Sequence, residues 1–363
     1  MAKLEILNVS KRFGDIVALE RIDLTVEDNE FFCIFGPPGC GKTTMLRILL
    51  GLESPDEGEV RVGGRSVTEL PAHERNLAMV FQKLALFPHM TVRENLSFPL
   101  RERRLPSAEI DATVNEIADT LQITALLKKL PAHLSGGERQ RVAIGRALVR
   151  KPNAYLMDEP ISALDARLRE LMRVELKRLQ RQFGHTLMYA THDHEEAMSI
   201  ADRMCVMNAG KAAQVGSPDE IYNAPNSRYV AGLVGTPPIN MLAGTFDALN
   251  QTFCCPQIGL SVNLPGATAR RGGAAWLGVR PEYVRIAPRD SGIPGSICDI
   301  EPLGAFAIVA IAAGDTVLRA IVPGQPNFQR NEFVGLDFEL SECHFFDGEN
   351  GVRFATGAAT ITR

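Results

Sequence analysis

Residues 34–50 read IFGPPGCGKTTMLRILL. The glycines, the lysine and the threonine in the middle of this stretch fit G-x-x-x-x-G-K-[S/T], a loop whose backbone N–H groups surround a phosphate chain. The all-apolar run at 31–35 predicts a buried strand before the loop, and Lys42 to Leu50 predicts a helix that Gly51 ends. This order predicts a nucleotide site, with Lys42 on the β- and γ-phosphates and the Thr43 hydroxyl on Mg²⁺.

Length and composition limit the classes of protein that the chain can belong to. Its 363 residues predict two domains, and its net charge of −4 gives no sign of a nucleic-acid-binding surface. The seven cysteines are odd in number and lack C-x-x-C spacing, which favours a reduced cytosolic compartment without structural zinc. No signal peptide opens the sequence, and no apolar run approaches the length of a spanning helix. We therefore expect that the chain does not cross a membrane by itself.

Polar side chains follow three further apolar runs, each of which predicts a strand. Gln82 follows one run, Asp158 and Glu159 follow the next, and His192 lies just beyond the third. The carboxyl ends of parallel strands form the edge where α/β sheets bind ligands. The Gln82 amide suits orienting a water or completing a metal's coordination, and the Asp158 carboxylate suits Mg²⁺ held through water. Glu159 is placed to take a proton from an attacking water.

The segment LSGGERQR at 134–141 predicts the start of a helix. Ser135, followed three residues later by Glu138, forms a capping-box pattern, and the helix is expected to run through Leu148. Two glycines directly after the cap leave the helix N-terminus bare, so it can approach an anion closely.

Two further side chains flank the predicted phosphate site. Phe13 lies in SKRFGD between the first two predicted strands, where its ring either stacks on a base or packs on the sheet. Cys40 stands next to a helix N-terminus and Lys42. These neighbours predict a lowered thiol pKa and an accessible, reactive sulfur.

The chain divides into two predicted domains. Residues 1–235 hold the motifs above and include a helical insertion at about 85–150, whose apolar residues recur near helical spacing. The sequence pattern changes at GTPPIN, which begins at Gly235. Across 236–363, short strand patterns separated by glycine and proline favour a small antiparallel barrel or sandwich.

Taken in order, these motifs resemble the ATP-binding subunit of ABC transporters. The LSGG stretch distinguishes this family from other phosphate-loop ATPases and GTPases, which lack it. Four longer segments are similar to the importer ATPases for maltose, sn-glycerol 3-phosphate and related sugars: VFQKLALFPHMTVRENLSF, the stretch at 206–240, LGVRPEYV and IEPLGAFAIVAI. The resemblance implies an α/β phosphate-loop ATPase domain with a helical insertion, followed by a smaller all-β regulatory domain of the OB-like barrel type.

The same resemblance implies a role for each matching residue. It implies that Phe13 stacks on adenine, that Glu159 is the general base and that His192 contacts the γ-phosphate. It implies that Asp158 positions Mg²⁺ and that Gln82 senses magnesium, nucleotide and the membrane subunits. The implied metal contacts are Thr43, Gln82 and Asp158. The other implied ATP contacts are Gly36, Pro37, Gly39, Cys40, Gly41, Lys42, Thr43, Thr44, Ser135, Gly136, Gly137 and Asp165.

Partners also follow from the resemblance. Two copies, or one copy and a close homologue, would close head to tail over two ATP molecules, so that Ser135 and Gly137 of one meet the γ-phosphate bound by the other, while Asp165 works across the dimer. Residues 83–88 and the helical insertion would form the groove for a cytoplasmic helix of two integral membrane permease subunits. A periplasmic or extracellular solute-binding protein would act indirectly. The implied location is peripheral, on the cytoplasmic face of the inner (plasma) membrane.

Three departures and two alternatives accompany the resemblance. Thr43 replaces serine but keeps the hydroxyl, and Glu138 stands where glutamine is commoner and can still close the capping box. Pro38 replaces the usual serine and removes a hydroxyl and an N–H near the γ-phosphate, which puts the rate in doubt.

The main alternative is a soluble ABC-type ATPase in DNA repair or translation. Repair members carry a long coiled coil, for which the segment between Gln82 and Ser135 is too short, and translation members carry two cassettes. A phosphate-loop kinase or GTPase would not explain LSGGE or His192. The transported compound is not readable from the sequence.

Overall fold

The structure, a computed structural model, describes residues 2–82, 84–162, 164–267, 272–356 and 360–362. Lys83 in the predicted permease groove therefore lies outside the described residues, as does Ala163. The chain divides into two compact units, Met1–Pro218 and Asp219–Arg363.

The first unit combines strands and helices. Its strands are β1 (Leu4–Phe13), β2 (Ile16–Val26), β3 (Phe31–Phe35), β4 (Glu57–Val62), β5 (Arg65–Ser66), β6 (Leu77–Val80), β7 (Ala154–Asp158), β8 (Leu187–Thr191), β9 (Arg203–Asn208) and β10 (Lys211–Gly216). Its helices are α1 (Lys42–Leu50), α2 (Val92–Glu102), α3 (Ser107–Thr120), α4 (Gly136–Leu148), α5 (Ala166–Phe183) and α6 (His194–Ile200).

A six-stranded sheet in the order β10-β9-β3-β8-β7-β6 positions the predicted site. Strands β9, β3, β8, β7 and β6 run parallel, and β10 adds an antiparallel edge. Every residue of β3, β7 and β8 is buried, as an apolar run between covered faces requires. The phosphate loop follows β3. Strands β8, β7 and β6 come after β3 in the order of the sheet, so the residues that follow them lie in a row at the same end of the sheet as the loop. The sheet therefore gathers the predicted polar side chains at one edge.

A second, antiparallel sheet in the order β2-β1-β4-β5 completes the strands of this unit. Its apolar residues share one core with the parallel sheet and with α1, as Leu4, Phe32 and Met45 illustrate. Phe13 is the last residue of β1 and not a loop residue between strands. The predicted helical insertion contains α2, α3 and α4, and α2 contacts both of the others.

The second unit is built mainly from β-strands. They are β11 (Asn240–Asp247), β12 (Thr252–Cys255), β13 (Leu260–Asn263), β14 (Gly273–Val279), β15 (Val284–Ala287), β16 (Ile293–Pro302), β17 (Phe306–Ala313), β18 (Thr316–Pro323), β19 (Phe333–Phe338), β20 (His344–Asp347), β21 (Arg353–Thr356) and β22 (Thr360–Thr362). They form a sheet in the order β21-β20-β14-β11-β12-β13-β22 and another in the order β15-β19-β16-β17-β18. All described pairings in these two sheets are antiparallel, and their apolar faces share one core. This is the barrel-like β domain that the sequence predicts.

The division between the units falls at Pro218, earlier than the change of sequence pattern at Gly235 on which the predicted boundary rests. Two short helices lie between these points, α7 (Pro218–Asn223) and α8 (Arg228–Leu233). The buried guanidinium of Arg280, in the β domain, donates to the carbonyl oxygens of Tyr222 and Val234. These contacts tie the segment that carries both helices to the β domain, which explains why it groups there.

None of the helices in the described part of the chain is long and apolar enough to span a membrane.

Candidate nucleotide site

The phosphate loop ends at Gly41, which caps α1 with a left-handed backbone at φ 107°. A Cβ at Gly41 would lie 2.5 Å from the carbonyl oxygen of Ala18, so only glycine fits this position. Among the described residues, no side chain caps the first turn of α1. Its N-terminal N–H groups and the positive end of its dipole are therefore available to an anion at the loop.

Lys42 and Thr43, the first two residues of α1, point their polar atoms into this region. The Lys42 side chain is 5% exposed, and its Nζ donates to the carbonyl oxygens of Gly36 and Pro37 at 2.7 and 2.9 Å. The Thr43 hydroxyl donates to Oδ1 of Asp158 at 3.2 Å. The loop thus surrounds the Lys42 ammonium with its own backbone carbonyls. The hydrogen bond between Thr43 and Asp158 links α1 to the end of β7.

Asp158 is a buried carboxylate at the end of β7. Burial raises its pKa, and the nearby Glu159 raises it further, while Thr43 and Lys42 oppose the shift. A buried carboxylate whose charge is poorly compensated is stabilised by a cation. Mg²⁺ prefers oxygen ligands and takes only one or two carboxylates from a protein, with water and phosphate oxygens completing its shell. The Asp158 carboxylate and the Thr43 hydroxyl are therefore a donor set that fits Mg²⁺.

Glu159 follows β7 and is held by residues from the ends of β6 and β8, the two strands on either side of β7. Its Oε2 accepts from the Gln82 amide at 3.1 Å, and its Oε1 lies 2.9 Å from Nδ1 of His192. Its backbone N–H donates to the carbonyl oxygen of Ala190 at 2.9 Å. Glu159 also has φ 46°, a left-handed conformation that is uncommon outside glycine and is typical of functional positions. We call the polar residues at this end of the sheet the strand-edge cluster; they are Lys42, Thr43, Gln82, Asp158, Glu159 and His192.

Phe13 lies apart from the strand-edge cluster, at the end of β1. Its ring is 44% exposed, and Lys11 Nζ lies 5.4 Å from the ring centroid. An exposed aromatic face beside a cation is available for stacking, which leaves the predicted adenine contact open as a proposal.

Cys40 differs from the sequence prediction. The thiol is 3% exposed, and burial raises its pKa above the ordinary value even though Lys42 acts in the opposite direction. The prediction of a lowered pKa and an accessible sulfur was wrong. It considered the helix N-terminus and the lysine but not desolvation, which is the larger effect once the loop closes over the sulfur.

Ser135 and Glu138 form the predicted capping box at the start of α4. The Glu138 carboxylate accepts from the Ser135 N–H at 2.7 Å, and the Ser135 hydroxyl accepts from the Glu138 N–H at 3.3 Å. Gly137 is buried, and a Cβ there would lie 2.2 Å from Cδ2 of Leu168 on α5. The glycine therefore also serves the packing of α4 on α5, which the sequence did not indicate.

Asp165 caps α5 in the same manner, since its carboxylate accepts from the Leu168 N–H at 2.9 Å. The described side-chain contacts of Ser135 and Asp165 thus lie at the starts of their own helices. Gly136 is exposed beside Ser135. The capping contacts of Ser135 and Asp165 do not join either residue to the strand-edge cluster.

Sequence reasoning missed the residues that hold the turn at His192. Asp193 caps α6 by accepting from the N–H groups of Glu195 and Glu196. The buried Glu196 carboxylate accepts from the hydroxyls of Thr191 and Tyr189. The available signal was an aspartate at a strand end, followed three residues later by a glutamate, which is typical of a helix start.

Known proteins align with almost the whole chain. The trehalose/maltose import ATP-binding protein MalK of Thermococcus litoralis is 41% identical, over 97% of this chain and 99% of that protein. The sn-glycerol-3-phosphate import ATP-binding protein UgpC of Cereibacter sphaeroides is 44% identical, over 97% of this chain and 100% of that protein. The chain belongs to the family of ABC transporter ATP-binding subunits. The sulfoquinovosyl glycerol transport ATP-binding protein SmoE of Agrobacterium fabrum is 42% identical, over 96% and 98%.

Family models and solved structures agree with this assignment. The ABC transporter model matches residues 19–162, and the TOBE domain model matches residues 277–346. A dimeric, post-hydrolysis structure of the ATP-binding cassette MJ0796 with ADP and Pi is 31% identical, with a TM-score of 0.55. It covers 59% of this chain and 98% of the MJ0796 chain. The ABC transporter subunit therefore has the predicted ATPase domain and β domain. It hydrolyses ATP to power solute import.

Proposed function

We propose that this subunit powers the import of a sugar or a glycerol phosphate. Three relatives that align over nearly their full length are named for trehalose and maltose, sulfoquinovosyl glycerol and sn-glycerol 3-phosphate. These solutes share a polyhydroxylated carbon skeleton. The solute itself is recognised by the membrane subunits and the solute-binding protein, and this chain supplies the ATPase.

ATP binds along the edge of the parallel sheet. Phe13 stacks on adenine, the N-terminus of α1 and the Lys42 ammonium hold the phosphates, and His192 contacts the γ-phosphate. Further contacts come from the loop and the first turn of α1, through Gly36, Pro37, Gly39, Cys40, Gly41, Thr43 and Thr44. The open helix N-terminus and the buried ammonium support this arrangement because both attract anions.

Glu159 acts as general base, and its geometry carries the proposal. Both carboxylate oxygens are held, by Gln82 on one side and by His192 on the other. The carboxylate takes a proton from a water whose oxygen forms a bond to the γ-phosphorus. The bond between that phosphorus and the β–γ bridging oxygen breaks, and ADP leaves with that electron pair. Gln82 and His192 set the direction in which Glu159 accepts the proton, which is the requirement for general-base catalysis.

Thr43, Asp158 and Gln82 would hold Mg²⁺. When bound, it offsets negative charge on the phosphate oxygens. The buried Asp158 carboxylate and its contact with the Thr43 hydroxyl support this role.

A second copy of this chain, or a close homologue, completes the site. Ser135, Gly136 and Gly137 of one subunit contact the γ-phosphate bound by the other, and Asp165 acts across the same interface. The exposure of Ser135 and Gly136 at the start of α4 supports this arrangement. The dimeric structures of the MJ0796 cassette also support it.

Two integral membrane permease subunits dock on the first unit. A groove of about 690 Å³ lies beside β6 and α2, and Met79, Phe81, Phe87 and Phe98 line it. Charged side chains also line the groove, namely Glu102, Arg103, Arg146 and Arg150. A groove with both apolar and charged side chains accepts an amphipathic helix, here a cytoplasmic helix of the permease. The subunit is then peripheral on the cytoplasmic face of the inner (plasma) membrane, and a periplasmic or extracellular solute-binding protein acts through the permease.

The test is transport by the complete assembly in proteoliposomes. The subunit is combined with its cognate permease and binding protein, and ATP-dependent uptake of maltose, trehalose, sulfoquinovosyl glycerol and sn-glycerol 3-phosphate is measured. We expect uptake of one of these solutes, together with ATPase activity that the loaded binding protein stimulates. Active assemblies that take up none of them would contradict the solute class, and ATP turnover without any transport would contradict the import role.

A further inference from the structure

The proposed catalytic pair is divided between two neighbouring loops. Glu159 begins the loop after β7, and His192 lies in the turn after β8. Two contacts of 2.9 Å hold the start of the Glu159 loop in place. The Glu159 N–H donates to the Ala190 carbonyl oxygen in β8, and the Glu159 carboxylate contacts Nδ1 of His192 in the turn after β8. The distance between the base and the histidine therefore depends on how these two loops are held together.

The turn around His192 is internally fixed. The Asp193 N–H donates to the Thr191 hydroxyl at 3.0 Å, and that hydroxyl donates to Glu196 at 2.8 Å. Oδ1 of Asp193 accepts from the N–H groups of Glu195 and Glu196 at 2.9 and 3.1 Å. The residues around His192 and the start of α6 are thus linked into one unit. A displacement of Asp193 would therefore also displace His192.

Arg169 on α5 joins this unit to the other loop. Its Nη2 donates to the carbonyl oxygen of Leu164 at 3.2 Å, in the loop that begins at Glu159. Its Nη1 lies 3.4 Å from Oδ2 of Asp193, the carboxylate oxygen that the helix cap does not use. The planar guanidinium reaches one group in each loop at once, which a lysine ammonium on a single flexible stem does not do in the same geometry.

The ion pair alone does not account for this arrangement. The Arg169 side chain is 33% exposed, and ion pairs at such sites contribute little to stability. Arg169 instead contacts both the loop that begins at Glu159 and the turn that contains His192, and the distance between these two segments matters for the reaction. We propose that Arg169 is a positioning residue, which sets the contact between His192 and Glu159 by holding the Asp193 turn against the loop at Leu164. This inference rests on the proposed roles of Glu159 and His192.

The first test compares Arg169→Ala, Arg169→Lys and a matched control, Arg178→Ala, in the full-length subunit. Arg178 lies on the same helix and pairs with Glu175 within that helix. We expect Arg169→Ala to lower kcat by on the order of 10-fold to 100-fold, the effect of a small misplacement of reacting groups. KM for ATP and the melting temperature should stay close to those of the parent and of Arg178→Ala. Arg169→Lys should not restore kcat, because it keeps the charge but not the double contact.

The second test is a double-mutant cycle with Asp193→Asn, which keeps an oxygen for the α6 cap and removes the charged partner of Arg169. If both residues act through one contact, the double variant should have the kcat of the slower single variant. The inference is overturned if Arg169→Ala keeps kcat within about two-fold of the parent, if Arg169→Lys restores it, or if the two losses multiply. It is also overturned if kcat falls only in parallel with the melting temperature.

Glu159→Gln separates this inference from the proposed function. An inactive Glu159→Gln with a fully active Arg169→Ala would refute the positioning role alone. A Glu159→Gln variant that still turns over ATP would instead refute the assignment of the base.

Discussion

Nδ1 of His192 lies 2.9 Å from Oε1 of Glu159, across the ends of two parallel strands that are neighbours in the sheet. An ionised carboxylate accepts hydrogen bonds and donates none, so the proton of this contact belongs to the histidine Nδ1. Phosphate oxygens also only accept, so a hydrogen bond from Nε2 to the γ-phosphate under the proposed function needs a second proton on the ring. The histidine side chain is about half exposed.

Replacement of Glu159 by glutamine should separate binding from hydrolysis. The amide keeps the size of the side chain but is a very weak base, so kcat should fall by roughly 10²–10⁴-fold. ATP affinity should be retained, and a dimer with ATP trapped in it should accumulate. Steady-state ATPase assays, nucleotide binding and gel filtration measure the three quantities. Glu170→Gln, an exposed position on α5, is the matched control, and a Glu159→Gln variant with parental turnover would contradict the assignment.

Alkylation of Cys40 should depend steeply on pH. Because burial raises the thiol pKa, the thiolate fraction at pH 7 is small and grows about tenfold per pH unit below that pKa. Inactivation by N-ethylmaleimide should therefore be slow at pH 7 and faster at pH 8.5, and bound ATP should protect by closing access through the loop. Mass spectrometry identifies the labelled cysteine, and Cys40→Ser is the control. Equal inactivation of Cys40→Ser would show that another thiol is responsible.

Alanine at Gly41 should damage the site more than alanine at a comparable glycine elsewhere. At Gly41 the added Cβ meets the Ala18 carbonyl oxygen at 2.5 Å, in a backbone region that costs alanine about 1–3 kcal/mol. Gly64 also has a positive φ, but open space surrounds it. We expect Gly41→Ala to lose ATP binding and more unfolding free energy than Gly64→Ala, as measured by denaturant titration and nucleotide binding. Equal losses would show that the close approach at Ala18 is unimportant.

Two truncations test where the ATP-binding domain ends. Fragments ending at Pro218 and at Thr236 should bind ATP with similar affinity, because the proposed nucleotide contacts of one chain precede both ends. The longer fragment should carry a protease-sensitive tail, since it lacks Arg280, which holds the Tyr222 and Val234 carbonyls. Limited trypsin digestion and nucleotide titration measure both effects. If only the longer fragment folded, the domain would extend to the predicted boundary at Gly235.

The sequence alone was sufficient where a local pattern sets the structure. The glycine pattern and apolar flanks predicted β3, the loop and α1, and α1 has the predicted bounds, Lys42–Leu50. The capping box of Ser135 and Glu138 likewise predicted the start of α4, because the two hydrogen bonds involve residues three apart in the chain. The polar residues at the ends of apolar runs indicated the edge of the sheet, since parallel strands share one.

Only the tertiary structure decided what depends on contacts between distant segments. The order of β3, β8, β7 and β6 places Gln82, Glu159 and His192 within hydrogen-bonding distance, and no local pattern encodes strand order. The pKa of Cys40 follows from burial, which depends on how residues far along the chain pack over the loop. The contact of Arg169 with Asp193 arises in the same way, because it joins α5 to the turn after β8, whereas its other contact, Leu164, is only five residues away in the chain.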